Sequence, residues 1–483
     1  MNQPSPPNQT GLDAHNQRVL HDLQCIDYPA KPWVRPRRGP NGEDVLDALI
    51  VGGGQCGIAI AFGLMREKIS NILVIDENSE GLEGPWVTYA RMVTLRTPKH
   101  LTSIDYAIPS LTFRAWWEAQ YGAAGWDRLD KIPREEWMRY LRWYRRTLSI
   151  PVSNETRATE IEPLARGLFK LHVEGKGAPA SGAYLARKIV LATGIQGGGE
   201  WHTPSFVTAL PKSRYAHSSE MIDYSALNGK KIAILGGGAS AFDNAQYALG
   251  AGVAEAHVFI RKPALPRVNP IRYMENAGFL GHFADLPDPV KYAAIDHFLS
   301  YNQPPTNDTF SRAAGYPGFT LHPGEPWLRA TETPDGARVD TPQGQYIFDF
   351  LVLSTGLLTD AGLRPELARL ARHIACWRDR YQAPTRNVLV DDHPYLGADF
   401  SYQPKTPEAV DQLYGLFNFN YAALASLGLS ASALSGFKYA APRLVYGLAS
   451  QLFIDDSAEV LADYYAYREE EFHGERPVAR NLP

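Results

Sequence analysis

The chain has 483 residues, with 48 lysines and arginines against 52 aspartates and glutamates. That length gives room for about three units of ordinary domain size, or for two units with insertions. The near balance of charge excludes a global field that would draw the chain onto nucleic acid or an anionic membrane.

Cys25, Cys56 and Cys376 form no CxxC pair, which argues against a disulfide framework or a zinc ribbon and fits a reducing cytoplasm. No stretch approaches the ~20 continuous apolar residues of a spanning helix. Met1 to Pro7 lacks the basic-then-apolar pattern of a signal peptide. The expected setting is cytoplasmic, with a small-molecule substrate, no membrane span and a homo-oligomer left open.

Residues 1–44, rich in proline and polar groups, are expected to form an extended N-terminal arm partly ordered by its Trp and Tyr residues. Ala48-Leu49-Ile50-Val51 then reads as a strand, followed by the turn Gly52-Gly53-Gly54-Gln55-Cys56-Gly57 and a small, apolar helix from Ile58 to Leu64. In such a unit Gly52 allows the turn, Gly54 lets the backbone approach a pyrophosphate, and Gly57 lets helix and strand pack closely. The helix N-terminus faces the phosphate charge. Asn71 to Ile75 reads as a second strand ending in Asp76, where a carboxylate accepts hydrogen bonds from a ribose diol. An acid there favours FAD or NAD over a 2'-phosphate. Cys56, with no second cysteine nearby, is expected to be a small packing residue. From Arg134 to Leu148, Trp137, Tyr140, Leu141 and Tyr144 fall at helical spacing, which predicts an amphipathic helix with a basic outer face and its aromatic stripe in the core.

Two apolar strands, Lys188 to Leu191 and Phe350 to Leu353, end alike in Ala192-Thr193-Gly194 and Ser354-Thr355-Gly356. Such ends lie at the ligand crevice of an α/β sheet, where Gly194 and Gly356 let the backbone turn beside a cofactor or into another domain. Ile195 to Pro204 has hinge composition. Between the two strands lies a second glycine turn, Gly236-Gly237-Gly238-Ala239-Ser240-Ala241, 184 positions after the first and led in by Lys231 to Leu235. The strand after it, Ala256 to Ile260, ends in Arg261-Lys262 instead of an acid. Two cations there pair with a ribose 2'-phosphate, so NADPH is favoured over NADH. The expected architecture is α/β, with two Rossmann-like dinucleotide-binding domains, the NADPH domain inserted into the FAD domain. Its boundaries are an arm at 1–44, the FAD-binding domain at 45–205 and 345–450, the NADPH-binding domain at 206–344, and a C-terminal segment at 451–483.

Over about residues 45–440 this set of motifs resembles the class B flavoprotein monooxygenases, the group of flavin-containing monooxygenases and amino-acid N-hydroxylases. The resemblance rests on Gly52, Gly54 and Gly57 with Asp76, on Glu83-Gly84-Pro85-Trp86, on the helix from Arg134, and on Ala192-Thr193-Gly194. It rests further on Gly236, Gly238, Ser240 and Ala241, and on Ser354-Thr355-Gly356. It implies FAD in the first unit, NADPH in the second, O2 as co-substrate, and a C4a-hydroperoxyflavin that delivers one oxygen atom to a nucleophilic or carbonyl centre.

The resemblance also places Trp86 near the flavin. Leu95-Arg96-Thr97-Pro98-Lys99-His100 stands where the family has a flavin-facing Asn-Pro-Lys type segment, here without the asparagine. Arg91, Arg96, Lys99 and His100 then either line the pocket or form a solvated basic loop. In the first case Arg96 and Lys99 are catalytic candidates that hold an anionic substrate or reduced flavin. Asn420 is the expected pocket donor, ahead of a small-residue stretch from Ser426 to Ser432 that suits either a helix start beside the isoalloxazine or helix packing. His217 either seats the nicotinamide domain against the flavin domain or is a structural histidine at the junction. The expected reaction is N-hydroxylation of a small polar metabolite. Baeyer-Villiger oxidation of a heterocycle and urate-type purine hydroxylation are the alternatives. An FAD/NADPH disulfide reductase would need the CxxC pair that this sequence lacks.

Overall fold

The computed structural model describes residues 8–29, 31–101, 104–301, 303–431 and 433–474. Met1 to Pro7 and Ser432 lie outside the described residues. Val45–Val51 is apolar almost throughout, as a strand buried on both faces must be. It pairs in parallel with Ile72–Ile75 on one side and Ala183–Leu191 on the other. Ala183–Leu191 in turn takes antiparallel Leu168–Glu174 along its first half and parallel Leu416–Asn418 along its last residues. With Val152–Ser153 and Arg157–Ala165 at the edges this makes a seven-stranded sheet.

The second sheet has five parallel strands in the order Phe319–Pro323, Glu255–Ile260, Lys231–Leu235, Phe350–Leu353, Tyr215–His217. One expected boundary therefore moves. Phe350–Leu353, assigned above to the returning FAD-binding segment 345–450, is an inner strand of the second sheet, because an apolar run ending in Thr-Gly suits any buried parallel strand and does not say which sheet it joins. The chain re-enters the first domain only after Gly356. There the outgoing link Gly199–Trp201 and the returning link Leu357–Thr359 pair antiparallel, closing the insertion with a two-stranded ribbon.

Both termini also depart from expectation. The arm is not extended throughout: Gln9–Gln24 is a helix capped by Asn8, whose side chain accepts from Gly11 N at 3.1 Å, and it buries Val19 and Leu23. At the other end, the expected division at 450/451 falls inside one helix, Phe437–Ala466. That helix is tied down by charge. Arg187 and Lys188, both buried in the first sheet, pair with Asp456 and Asp455 at 2.8 Å each, and Arg37 from the arm reaches Asp456 at 2.7 Å. The helix Arg134–Thr147 forms as expected, with Trp137, Tyr140 and Tyr144 in the core. Among the described residues no helix is long and apolar enough to cross a membrane.

Candidate active site

The C-terminal ends of the parallel strands in both sheets open onto one cavity of about 1520 Å³, lined by both glycine turns and by the Thr-Gly ends at 193–194 and 355–356. The glycines serve two purposes. Gly52 and Gly236 have φ of 106° and 137°, and a Cβ on them would stand 2.5 Å from the Ala192 carbonyl oxygen and 2.3 Å from that of Ser354. Gly57 is needed for packing, since its Cβ would lie 1.8 Å from the Gly52 oxygen. Gly54 and Gly238 have φ of −69° and −83°, open to any residue, and a Cβ there would meet nothing in the protein nearer than 3.8 Å and 3.9 Å. The fold itself does not require glycine at 54 or 238. A pyrophosphate lying against the backbone does, so both turns fit a dinucleotide. Gly194 and Gly356, with φ of 70° and 84°, turn the chain at the crevice, with nothing within 4 Å of an added Cβ.

Asp76 closes the first turn: Oδ2 accepts from Gly53 N at 2.7 Å and Oδ1 from Asn78 N at 2.8 Å. Ser240 lines the cavity at the start of the helix Ala239–Gly250, and Ala241 is fully buried behind it. Arg261 and Lys262 are exposed on the rim just beyond Glu255–Ile260 and line the same cavity. Cys56 is buried, its thiol pushed up to about 12 by burial, which suits a packing residue.

The residues expected to do chemistry are placed less uniformly. Trp86 lines the cavity, buried, its Nε1 without a hydrogen-bond partner and its ring edge-on to Trp137 at 6.5 Å. Arg96 also lines the cavity, but its guanidinium is bound to Asp243 on the helix Ala239–Gly250. Burial drives the Asp243 carboxyl above the usual range, with Arg96 opposing. Lys99 does not line the cavity. Its ammonium lies 4.5 Å from the Trp126 ring centroid and donates to the carbonyls of Trp126 and Leu129 at 2.7 Å and 2.6 Å, at the C-terminus of the helix Phe113–Arg128. Lys99 lies in a turn closed by Leu101 N on the Pro98 oxygen, at 2.9 Å.

Asn420 is likewise a fastener behind the cavity wall and not a pocket donor. Fully buried, it donates to Thr193 Oγ1 at 3.1 Å and to the Gly197 oxygen at 3.2 Å, and accepts from Ala422 N at 2.9 Å. The small-residue stretch after it ends a one-turn helix, Leu424–Leu427, at Gly428, whose φ is 66°. The long helix starts only at Phe437. His217 stacks on Trp201 with centroids 4.8 Å apart, joining the last strand of the second sheet to the outgoing link. Burial holds its imidazole down to about 4, so it is neutral at pH 7.

Sequence reasoning missed the face of the helix Ala239–Gly250 that docks on the first domain. Asp243 holds Arg96, Gln246 donates to the Arg91 oxygen at 3.0 Å, and the Arg91 guanidinium lies 5.0 Å from the Tyr247 ring centroid. The i, i+3, i+4 spacing was the available signal. It also missed Arg272 and Glu275, which line the cavity from the second domain.

A family described as pyridine nucleotide-disulphide oxidoreductase matches residues 49–270. The FAD-dependent urate hydroxylase of Xanthomonas campestris pv. campestris is 58% identical over 463 residues, covering 95% of this chain and 97% of that protein. Among solved structures, an ornithine hydroxylase from Pseudomonas aeruginosa aligns with a TM-score of 0.66 at 19% identity, covering 84% of this chain and 100% of that one. An L-lysine 6-monooxygenase from Pseudomonas syringae aligns with a TM-score of 0.64 at 18% identity, covering 84% and 99%. Those two likenesses establish the shared fold. All three cysteines are free, two of them buried, and no two form the CxxC pair that a disulfide reductase would need. Two dinucleotide turns opening on one cavity, together with identity along almost the whole length of a flavin-dependent hydroxylase, mean that the chain belongs to the class B flavoprotein monooxygenases.

Proposed function

We propose that the protein hydroxylates urate, or a closely related oxopurine, using FAD, NADPH and O2. The observation that carries this reading is the 58% identity to the Xanthomonas urate hydroxylase, which runs through both domains and so through both walls of the cavity. The balance is urate plus O2, NADPH and a proton, giving hydroxyurate, NADP+ and water. Bound FAD supplies the redox chemistry, accepting electrons from the nicotinamide and activating O2.

The chain's own residues bind and enclose. The amides of the Gly52–Gly57 turn and the N-terminus of Gln55–Arg66 hold the FAD pyrophosphate, and Asp76 accepts from its ribose. The Gly236–Ala241 turn holds the nicotinamide nucleotide, with Arg261 and Lys262 at a 2'-phosphate. Trp86, Leu95, Leu429 and Leu434 line the cavity with apolar groups that exclude water from the reacting atoms. The test is oxidation of NADPH by the FAD-loaded protein in air, with mass spectrometry of the products. Urate should accelerate NADPH consumption and gain one oxygen atom. Faster turnover with ornithine or lysine, giving an N-hydroxylated product while urate stays untouched, would overturn the oxopurine reading in favour of N-hydroxylation.

A further inference from the structure

Most cations lining the cavity are already committed to the protein. Arg91 donates to the carbonyls of Thr88 and Ile222, and Arg96 is paired with Asp243. Arg364 is held by Glu366 and by the carbonyls of Gln196 and Gly199. Arg157 is paired with Glu174, and Arg261 and Lys262 stand at the ribose end of the second nucleotide turn. Arg272 is anchored as well, but by a single carboxylate oxygen and a single carbonyl, where three walls of the cavity meet.

It stands on the short helix Pro270–Met274 of the inserted domain. Its Nη2 donates to the Arg96 carbonyl at 2.7 Å, on the segment that follows Trp86, and its Nη1 to Glu275 Oε2 at 2.9 Å. A guanidinium has five N–H donors in one plane, so two anchors fix that plane and leave donors over. The Arg272 side chain is 45% exposed, whereas its partner Glu275 is only 6% exposed. The other oxygen of Glu275 faces the Ser435 hydroxyl at 3.5 Å, next to the cavity-lining Leu434. Three walls thus meet at one oriented cation: the segment 91–97, the inserted helix, and the loop 429–436.

We propose that Arg272 is the specificity-determining residue that reads the acceptor edge of the substrate, with Glu275 holding it in plane. This rests on the oxopurine reading above. A trioxopurine that has lost a ring proton is a planar anion with a carbonyl oxygen beside a deprotonated nitrogen. That pair of in-plane acceptors matches two parallel N–H donors, as in the bidentate contact of arginine with the O6/N7 edge of guanine. A lysine at this position would offer a point charge without the fork.

The test is calorimetric titration of the oxidised, FAD-loaded protein with urate in the absence of NADPH. Arg272→Met should weaken urate binding about tenfold to a hundredfold, the range expected for loss of a charged hydrogen-bonding partner. FAD content and the Kd for NADP+ should stay at wild-type values. Arg272→Lys should recover little. Wild-type affinity should rise with pH as the purine loses its proton, and this rise should vanish in Arg272→Met, which a merely structural role would not produce. Unchanged urate affinity in an Arg272→Met protein that retains FAD would overturn the proposal, as would equal losses for urate and NADP+. If Arg272→Met does not load FAD, Arg272→Lys decides, with wild-type urate affinity overturning the proposal and a tenfold loss supporting it. A wild-type protein that binds no oxopurine would instead overturn the function proposed above, an outcome visible before any variant is made.

Discussion

Gly54 and Gly57 stand three positions apart in one turn and are glycine for different reasons. At Gly57 the obstacle to a side chain is the Gly52 oxygen at 1.8 Å, part of the fold itself; at Gly54 the protein leaves the space open to 3.8 Å. Gly54→Val should therefore fold, melt near the temperature of the wild-type protein stripped of FAD, and purify without FAD, as read by absorbance. A Gly54→Val protein with stoichiometric FAD would remove the pyrophosphate site from this turn. Lys99 makes the opposite case, a residue with catalytic chemistry spent on structure. Lys99→Met gives up two charge-assisted bonds at the end of Phe113–Arg128, so the melting temperature should drop by the equivalent of about 1.5–3 kcal/mol per bond at most. Product formed per NADPH should not change, and release of hydrogen peroxide in its place would show that Lys99 reaches the substrate.

The element that joins the second glycine turn to the first domain is the helix Ala239–Gly250. Its N-terminus opens the second glycine turn, and its Asp243, Gln246 and Tyr247 face the segment 91–96. Arg96→Met would leave the buried Asp243 carboxylate without its cation, at a cost of about 3–5 kcal/mol, and the protein should melt earlier. Burial already holds the Asp243 carboxyl above its ordinary value, so the folded state keeps that proton to higher pH than the unfolded state. The stability contributed by the protonated form is present at low pH and lost as pH rises through the folded pKa. The Arg96→Met deficit should thus be largest at neutral pH and shrink on acidification, in melting curves taken across pH. At the end of the neighbouring strand, Arg261→Ala should weaken NADPH by about tenfold to a hundredfold and leave NADH unaffected, since NADH has no 2'-phosphate. Equal losses in fluorescence titrations of both nucleotides would show that Arg261 is not a phosphate reader.

At the scale of the whole molecule, two histidines buried in neutral form contribute to the loss of stability in acid. His217 sits at the domain junction and His393 is 2% exposed, and burial holds both imidazoles at about 4 against 6.5 in the unfolded chain. From pH 6.5 downward the unfolded chain takes up protons that the folded protein refuses, so stability is lost as pH falls through the window from 6.5 to about 4. His393→Phe should flatten that part of the stability–pH curve, measured by urea unfolding. An unaltered slope would mean that the His393 ring is protonated or hydrated in the folded state.

What the sequence determined by itself was local. Gly52 and Gly236 need positive φ, Asp76 and Arg261 directly follow the strands that come after the two glycine turns, and the aromatic stripe of Arg134–Thr147 marks a buried face; each is a short-range constraint that spacing and residue type express directly. What only the tertiary structure decided was membership and direction. Phe350–Leu353 joined the second sheet because its register partners are Lys231–Leu235 and Tyr215–His217, more than a hundred residues upstream. The last helix became part of the first domain because Asp455 and Asp456 meet Arg187, Lys188 and Arg37 across the fold. Arg96, Lys99 and Asn420 carry polar groups that suit a pocket equally well in any sequence reading. Their fate was set by which long-range partner each found, Asp243, the end of Phe113–Arg128, or the Thr193–Gly197 link, because a buried polar group must satisfy its hydrogen bonds wherever the packed chain offers them.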